Sequence, residues 1–570
     1  MSQYLIGKAA RIFCLVCLSG TLSAQVTLHP YAYSIQKKVV AAHGAVVSAH
    51  PLASIAGVSM LRQGGNALDA AIATQLALAV VYPGAGNIGG GGFMIAHLAK
   101  GENIALDFRE KAPAAATRDM YLDAAGNPQP NLSTNGHLAS GIPGTIAGLF
   151  AEHKYARLPF ATLIQPAIDL AENGYVITEA EARNLNGSQA AFKKYNTVMP
   201  VFVKEEGWKA GDTLVQKDLA KTLRLIRDQG ARGFYEGRTA KLIIAEMQRG
   251  NGIITAADLA QYQAKEREAT VFPYKNYSVV TMPLPSSGGV ILQQMMKMVE
   301  DQPLKSYGFQ SVKTVHLMTE VERIAYADRA KYLGDRDFYA VPVKTLTSAA
   351  YLHQRMTAFN PDQAGNSKDI QAGIISPASE ETTHLDVIDD QGNAVSITTT
   401  LNGGYGSKVV VAGAGFLLNN EMDDFSIKPG IPNMYGAVGA EANAIAPGKR
   451  MLSSMTPTLV LDKGKVFLVV GTPGGTTITT SVFQTLVNIL EFDMSTEDAV
   501  DKPKFHHQWL PDELYVEPGF AAETREELKK MGYTISQRGG IGRTEVIKVL
   551  PDHTFEAVGD IRGDDSADGY

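Results

Sequence analysis

Residues 381–387 read Glu-Thr-Thr-His-Leu-Asp-Val, and residues 398–402 read Thr-Thr-Thr-Leu-Asn. Between them, HLDVID (384–389) and AVSITTTL (394–401) are short, largely apolar runs joined by the turn residues of DDQGN (389–393). That pattern predicts a β-hairpin. Thr382 then stands at the entrance to a buried strand, and Thr400 ends the return strand eighteen residues on. Threonine suits strands for ordinary steric reasons, so placement alone leaves a purely structural reading open. A second hairpin, PTLVLDKGKVFLVVG (457–471), runs into Pro473-Gly474-Gly475-Thr476 and then a long helical pattern, TTITTSVFQTLVNILEF (476–492). Glycines at a helix start let backbone N–H groups face a developing negative charge, although a plain helix-start turn also accounts for them.

Outward from these hairpins, ALDAAIATQLALAVVYP (67–83) reads as a buried helix whose small side chains permit close packing. GGFMIAHLA and ENIALDFRE read as strands, and VHLMTEVERIAYADRAKYL (315–333) as a helix. Helices grouped around hairpin-built sheets predict a layered α+β fold. The 570 residues suffice for a large core, and 45% hydrophobic with 19% charged residues indicates a globular chain. A net charge of -6 leaves no basic excess for general nucleic-acid binding. Residues 382–570 hold 15 Lys/Arg against 26 Asp/Glu, so the remainder is net positive and the two parts attract weakly.

Lys8 and Arg11, the apolar run IFCLVCLSGTL and the small residues at Ser23-Ala24-Gln25 have the layout of a secretory signal peptide. Cleavage near Ala24 is expected, giving a periplasmic or secreted protein with no membrane anchor. Cys14 and Cys17 are the only cysteines, so the mature chain would carry neither disulfides nor a thiol nucleophile. Several suggestive motifs fail on context. Gly84-Ala85-Gly86-Asn87-Ile88-Gly89 matches a dinucleotide fingerprint but has a helix before it and a strand after it, the reverse of what phosphate binding needs. Gly89 to Gly92 lacks the Lys-Ser/Thr of a P-loop, and no G-x-S-x-G is present. His506-His507 on a strand would face opposite ways, which favours a structural pair over a shared metal.

The chain resembles the gamma-glutamyltransferase (gamma-glutamyltranspeptidase) family of N-terminal-nucleophile hydrolases. The resemblance is carried, in order, by DFREKAP, SGIPGT, PLPSSGG, AYADR with LGD, TTHLDVID, TLN, LLNNEMDDFS, LSSMTPT, GTPGG, FHHQWLPDE and the terminal ADGY. It implies a four-layer αββα sandwich made from one precursor that cuts itself before a nucleophilic threonine. Here the cut would fall between Glu381 and Thr382, leaving a large subunit of residues 25–381 and a small subunit of residues 382–570 as a heterodimer. The freed α-amine of Thr382 would serve as base for its own hydroxyl, since an α-amine titrates near pH 7.7–8.0.

The resemblance also implies roles for other residues. Thr400 would orient the nucleophile, and Gly474 and Gly475 would supply the oxyanion hole. Arg109 would bind a substrate α-carboxylate with its planar fork, helped by Ser453 and Ser454. Glu421 and Asp424, with Asn402, would take the α-ammonium, and Tyr435 would belong to a loop that covers the pocket. The substrates implied are glutathione and other γ-glutamyl compounds, with amino acid or peptide acceptors and no cofactor. Two competing readings are an acylase acting on glutaryl side chains and an inactive homologue serving as a binding protein. The first is disfavoured by Glu421 and Asp424, because glutaryl lacks an ammonium; the second is disfavoured by the intact Thr382, Thr400, Gly474 and Gly475.

Overall fold

Alternation along the strand Thr383–Asp389 sends Leu385 and Val387 to one side and His384 and Asp386 to the other. The apolar side packs on the helix Ala67–Val81, and the polar side faces a second sheet, where a Cβ on Gly471 would lie 2.1 Å from the His384 ring. The structure, a computed structural model, describes residues 28–369 and 382–570. The expected signal segment, Cys14, Cys17 and Glu381 lie outside the described residues.

The hairpin expected from 383 to 400 forms, with Thr383 opposite Thr399 and Val387 opposite Val395. It lies at the centre of a seven-stranded antiparallel sheet ordered Ser566–Gly569, Gly44–Ser48, Thr383–Asp389, Ala394–Thr400, Gly91–His97, Asn103–Asp107, Lys265–Arg267. The second expected hairpin, Thr458–Asp462 with Lys465–Gly471, anchors another seven-stranded sheet. Its order is Lys38–Ala41, Phe555–Val558, Glu545–Val549, Lys465–Gly471, Thr458–Asp462, Tyr277–Thr281, Thr270–Tyr274. The two sheets lie face to face over a core that includes Val47, Phe93, Ile95, Leu459, Val469 and Ile547. Helices cover the outer face of each sheet, giving the four-layer αββα sandwich. Both sheets take strands from before residue 370 and after residue 381.

The helix Ala67–Val81 is buried along its whole length and begins with a capping box between Asn66 and Asp69. Such a cap satisfies N-terminal amide groups that the apolar sequence leaves without partners. The glycine run that follows serves close backbone approach: a Cβ at Gly90 would lie 2.0 Å from the carbonyl oxygen of Thr400. Glycine there lets the chain pack directly against the end of the strand that carries Thr400. Among the described residues, no helix is long and apolar enough to cross a membrane.

Candidate active site

The hairpin register brings two of the candidate residues together. One step beyond the Thr383–Thr399 pair, Thr382 and Thr400 stand across from each other, and both line one narrow cavity. Thr400 Oγ1 accepts the amide of Asn402 at 2.7 Å, which fixes its rotamer at the strand end. Asn402 itself sits at φ +75, a left-handed position that asparagine tolerates better than most residues.

Gly475 lines the same cavity from the opposing sheet. Gly474 and Gly475 adopt φ +134 and +51, between the strand Lys465–Gly471 and the helix Thr477–Leu490. Among the described residues neither of their N–H groups has an acceptor. Free amides at a helix start, beside a hydroxyl, suit stabilisation of an oxyanion.

The lining of the cavity is also strongly charged. Arg109 is fully buried, donates to Glu421 Oε1, and donates to Asp424 Oδ2 at 2.5 Å. Burial works against its charge, and Glu421, Asp424 and Glu110 hold it cationic. Burial also raises the carboxyls of Glu421 and Asp424, with Arg109 opposing that rise. Glu110, 3.6 Å from Arg109 and without a hydrogen-bond partner on either oxygen, is pushed up by burial to about 7. Asp424 is the more open of the acidic pair, with 13% of its side chain exposed against 1% for Glu421. Ser453 and Ser454 complete this lining.

The loop over the cavity is pinned from several sides. Tyr435 donates to the carbonyl oxygen of Asn402 at 2.6 Å, and Asn433 donates to Asp424 Oδ1 at 2.9 Å. The amide of Met434 bonds Asp423, whose carboxyl is raised to about 6 by burial. Gln508 accepts from Thr476 Oγ1 at 2.6 Å and donates to the Tyr435 carbonyl at 3.3 Å, linking loop and helix start. The preceding His506 and His507 have their ring nitrogens on Thr480, Gln508, Trp509 and Asp512. Burial lowers them to about 3 and about 4, as suits a structural neutral pair.

Thr382, Thr400, Asn402, Arg109, Glu421, Asp424, Tyr435, Ser453, Ser454 and Gly475 thus line one cavity, and Gly474 adjoins it in the chain. Two features differ from the picture drawn from sequence. Arg109, expected to meet one charge of a ligand, and Glu421 and Asp424, expected to meet the other, are paired with each other. The sequence reading also assigned no role to Arg329 and Asn433, which line the same cavity. The available signal was a string of charged residues in a helix, Val312–Tyr332, that is buried on nearly every side.

The sequence model of the family described as Gamma-glutamyltranspeptidase matches residues 53–570. The chain is 45% identical over 550 residues to the "Glutathione hydrolase proenzyme" of Escherichia coli (strain K12), covering 95% of each. Among solved structures it is similar to gamma-glutamyltranspeptidase of Helicobacter pylori, with a TM-score of 0.56 at 46% identity over 60% of this chain and 97% of that one. It is also similar to the cephalosporin acylase from Bacillus halodurans, with a TM-score of 0.83 at 26% identity over 95% of this chain and 99% of that one. With a family match over most of its length and the sandwich of an N-terminal-nucleophile hydrolase, the chain is an enzyme of the gamma-glutamyltranspeptidase family.

Proposed function

We propose that this chain is an exported precursor that cuts itself between Glu381 and Thr382 and then cleaves glutathione and other γ-glutamyl compounds. The observation that carries the reading is the one cavity that Thr382, Thr400 and Gly475 line together with Arg109, Glu421, Asp424 and the serine pair. A γ-glutamyl group has the matching parts: an acyl carbon for the hydroxyl and a zwitterionic α-carbon for the charged side chains.

In the precursor, the Thr382 hydroxyl attacks the carbonyl of Glu381, and the peptide nitrogen of Thr382 leaves as its amine. Water then hydrolyses the resulting ester, which returns the Thr382 hydroxyl and leaves Glu381 with a terminal carboxylate. In the mature enzyme that amine takes the hydroxyl proton as Thr382 Oγ1 attacks the γ-carbonyl, with Thr400 holding the hydroxyl in line. The N–H groups of Gly474 and Gly475 carry the oxyanion. The leaving amine takes the proton, and the γ-glutamyl ester on Thr382 passes its acyl group to water or to an amino acid or peptide.

The likeness to a cephalosporin acylase keeps a glutaryl-cleaving reading in play. Glu421 and Asp424 speak against it, since a glutaryl group has no ammonium to place beside two buried carboxylates. Purified protein that has resolved into two chains is expected to release glutamate from glutathione, and to form a new γ-glutamyl product when an acceptor dipeptide is added. Preference for a glutaryl amide over the γ-glutamyl one would contradict the proposal.

A further inference from the structure

Arg329 lies on the helix Val312–Tyr332 and lines the same cavity as Arg109. Its Nη2 donates to Ser454 Oγ at 3.0 Å and its Nε to Ser287 Oγ at 3.0 Å. Ser287 in turn donates to the carbonyl oxygen of Ser453 at 2.6 Å. Arg329 therefore holds both members of the serine pair, one directly and one through Ser287. Three residues earlier on the helix, Tyr326 donates to the carbonyl oxygen of Thr476 beside the glycine turn. One helical face thus reaches both the serine pair and the turn at Thr476.

Hydrogen-bond accounting shows what these groups are set to receive. Ser454 Oγ already accepts from Arg329, and Ser453 Oγ accepts from the amide of Met455 at 3.1 Å. Each hydroxyl is left with its proton to donate, and among the described residues neither finds an acceptor. Arg109 is already engaged by Glu421 and Asp424, whereas among the described residues no carboxylate lies within ion-pair distance of Arg329. Counting the charged side chains that line it, two arginines and two acids, the cavity is neutral, as is the zwitterionic head of a γ-glutamyl group; Glu110 stands behind Arg109 with its carboxyl pushed up by burial. Without Arg329 the cavity would carry a net negative charge against the incoming carboxylate.

We propose that Arg329 is a specificity-determining residue for the substrate α-carboxylate, adding a second cation to that of Arg109 and aiming the Ser453 and Ser454 hydroxyls at it. This rests on the γ-glutamyl reading of the site. Three matched anilides separate the two claims: γ-glutamyl, glutaryl (no ammonium) and 4-aminobutyryl (no carboxylate). Arg329→Gln is expected to raise KM about tenfold or more for the γ-glutamyl and glutaryl anilides and to leave the 4-aminobutyryl anilide within about twofold, with kcat changing less. Arg329→Lys keeps the charge but not the two-pronged hold, so it should recover part of the loss. Equal losses on all three anilides would overturn the proposal and make Arg329 a packing residue. If Arg329→Gln does not resolve into two chains, Arg329→Lys and Ser454→Ala carry the same test, and both must impair the carboxylate-bearing anilides selectively. Failure of the γ-glutamyl reading itself would show in the unmodified enzyme, as a preference for one of the truncated anilides.

Discussion

Asp424 is the residue whose assigned role is easiest to isolate, because it is the more exposed carboxylate and its partner Arg109 keeps Glu421. Truncating one member of a buried charged hydrogen bond costs about 2–5 kcal/mol, and the partial exposure of Asp424 argues for the lower end. Asp424→Ala is therefore expected to lower kcat/KM at least about tenfold on a γ-glutamyl anilide and far less on a glutaryl anilide. Equal losses would mean that Asp424 serves the overlying loop, through Asn433, and not the ammonium. Thr400→Ala should slow both self-cleavage and turnover, since it removes the hydroxyl facing Thr382 but none of the reacting atoms. If the α-amine of Thr382 is the base, kcat/KM must also rise with pH through about 7.7–8.0, because the amine works only once deprotonated. A profile flat from pH 6 to 9 would exclude it.

At the scale of elements, the hairpin carrying Thr382 is held from the opposing sheet by a close approach at Gly471. Gly471→Ala puts a methyl group 2.1 Å from the His384 ring, and His384 is bonded to Thr398 and Asp386 at 2.9 Å each. Overpacking of this kind typically costs about 1–3 kcal/mol. A clear fall in Tm is expected, measured in the uncleaved Thr382→Ala background so that processing does not enter. Gly187→Ala is the control: it lies in the helix Glu179–Tyr195 with nothing within 4 Å of the added carbon, and should be neutral or mildly stabilising. The hairpins themselves were legible because their pairing is local and their turns are rich in Asp and Gly. The polar face between the sheets was not. His384, Asp386 and Ser396 alternate as surface residues would, yet they are buried because the second sheet, distant in sequence, covers them. Nor does any local signal say that Ser566–Gly569 pairs with Gly44–Ser48, a contact spanning almost the whole chain.

For the whole molecule, the interleaving of strands decides what a cut at residue 381 does. Each seven-stranded sheet would contain strands of both pieces, so the pieces share hydrogen-bond ladders and all the main cores. Attraction between a positive and an acidic piece is secondary. The processed chains should therefore stay together in 1 M salt, where charges are screened within about 3 Å, and separate only in denaturant. Separation by salt on size-exclusion chromatography would show that charge, not shared sheet, joins them. On the proposed reading, that assembly presents one new N-terminus inside a formed cavity. The most direct test of that reading is intact-mass analysis of the acid-quenched enzyme after brief exposure to a γ-glutamyl substrate. Two chains are expected, the smaller beginning at Thr382 and carrying one added glutamyl group, and a single unmodified chain for Thr382→Ala. A glutamyl group on any other residue, or cleavage before position 382 in the alanine variant, would contradict it.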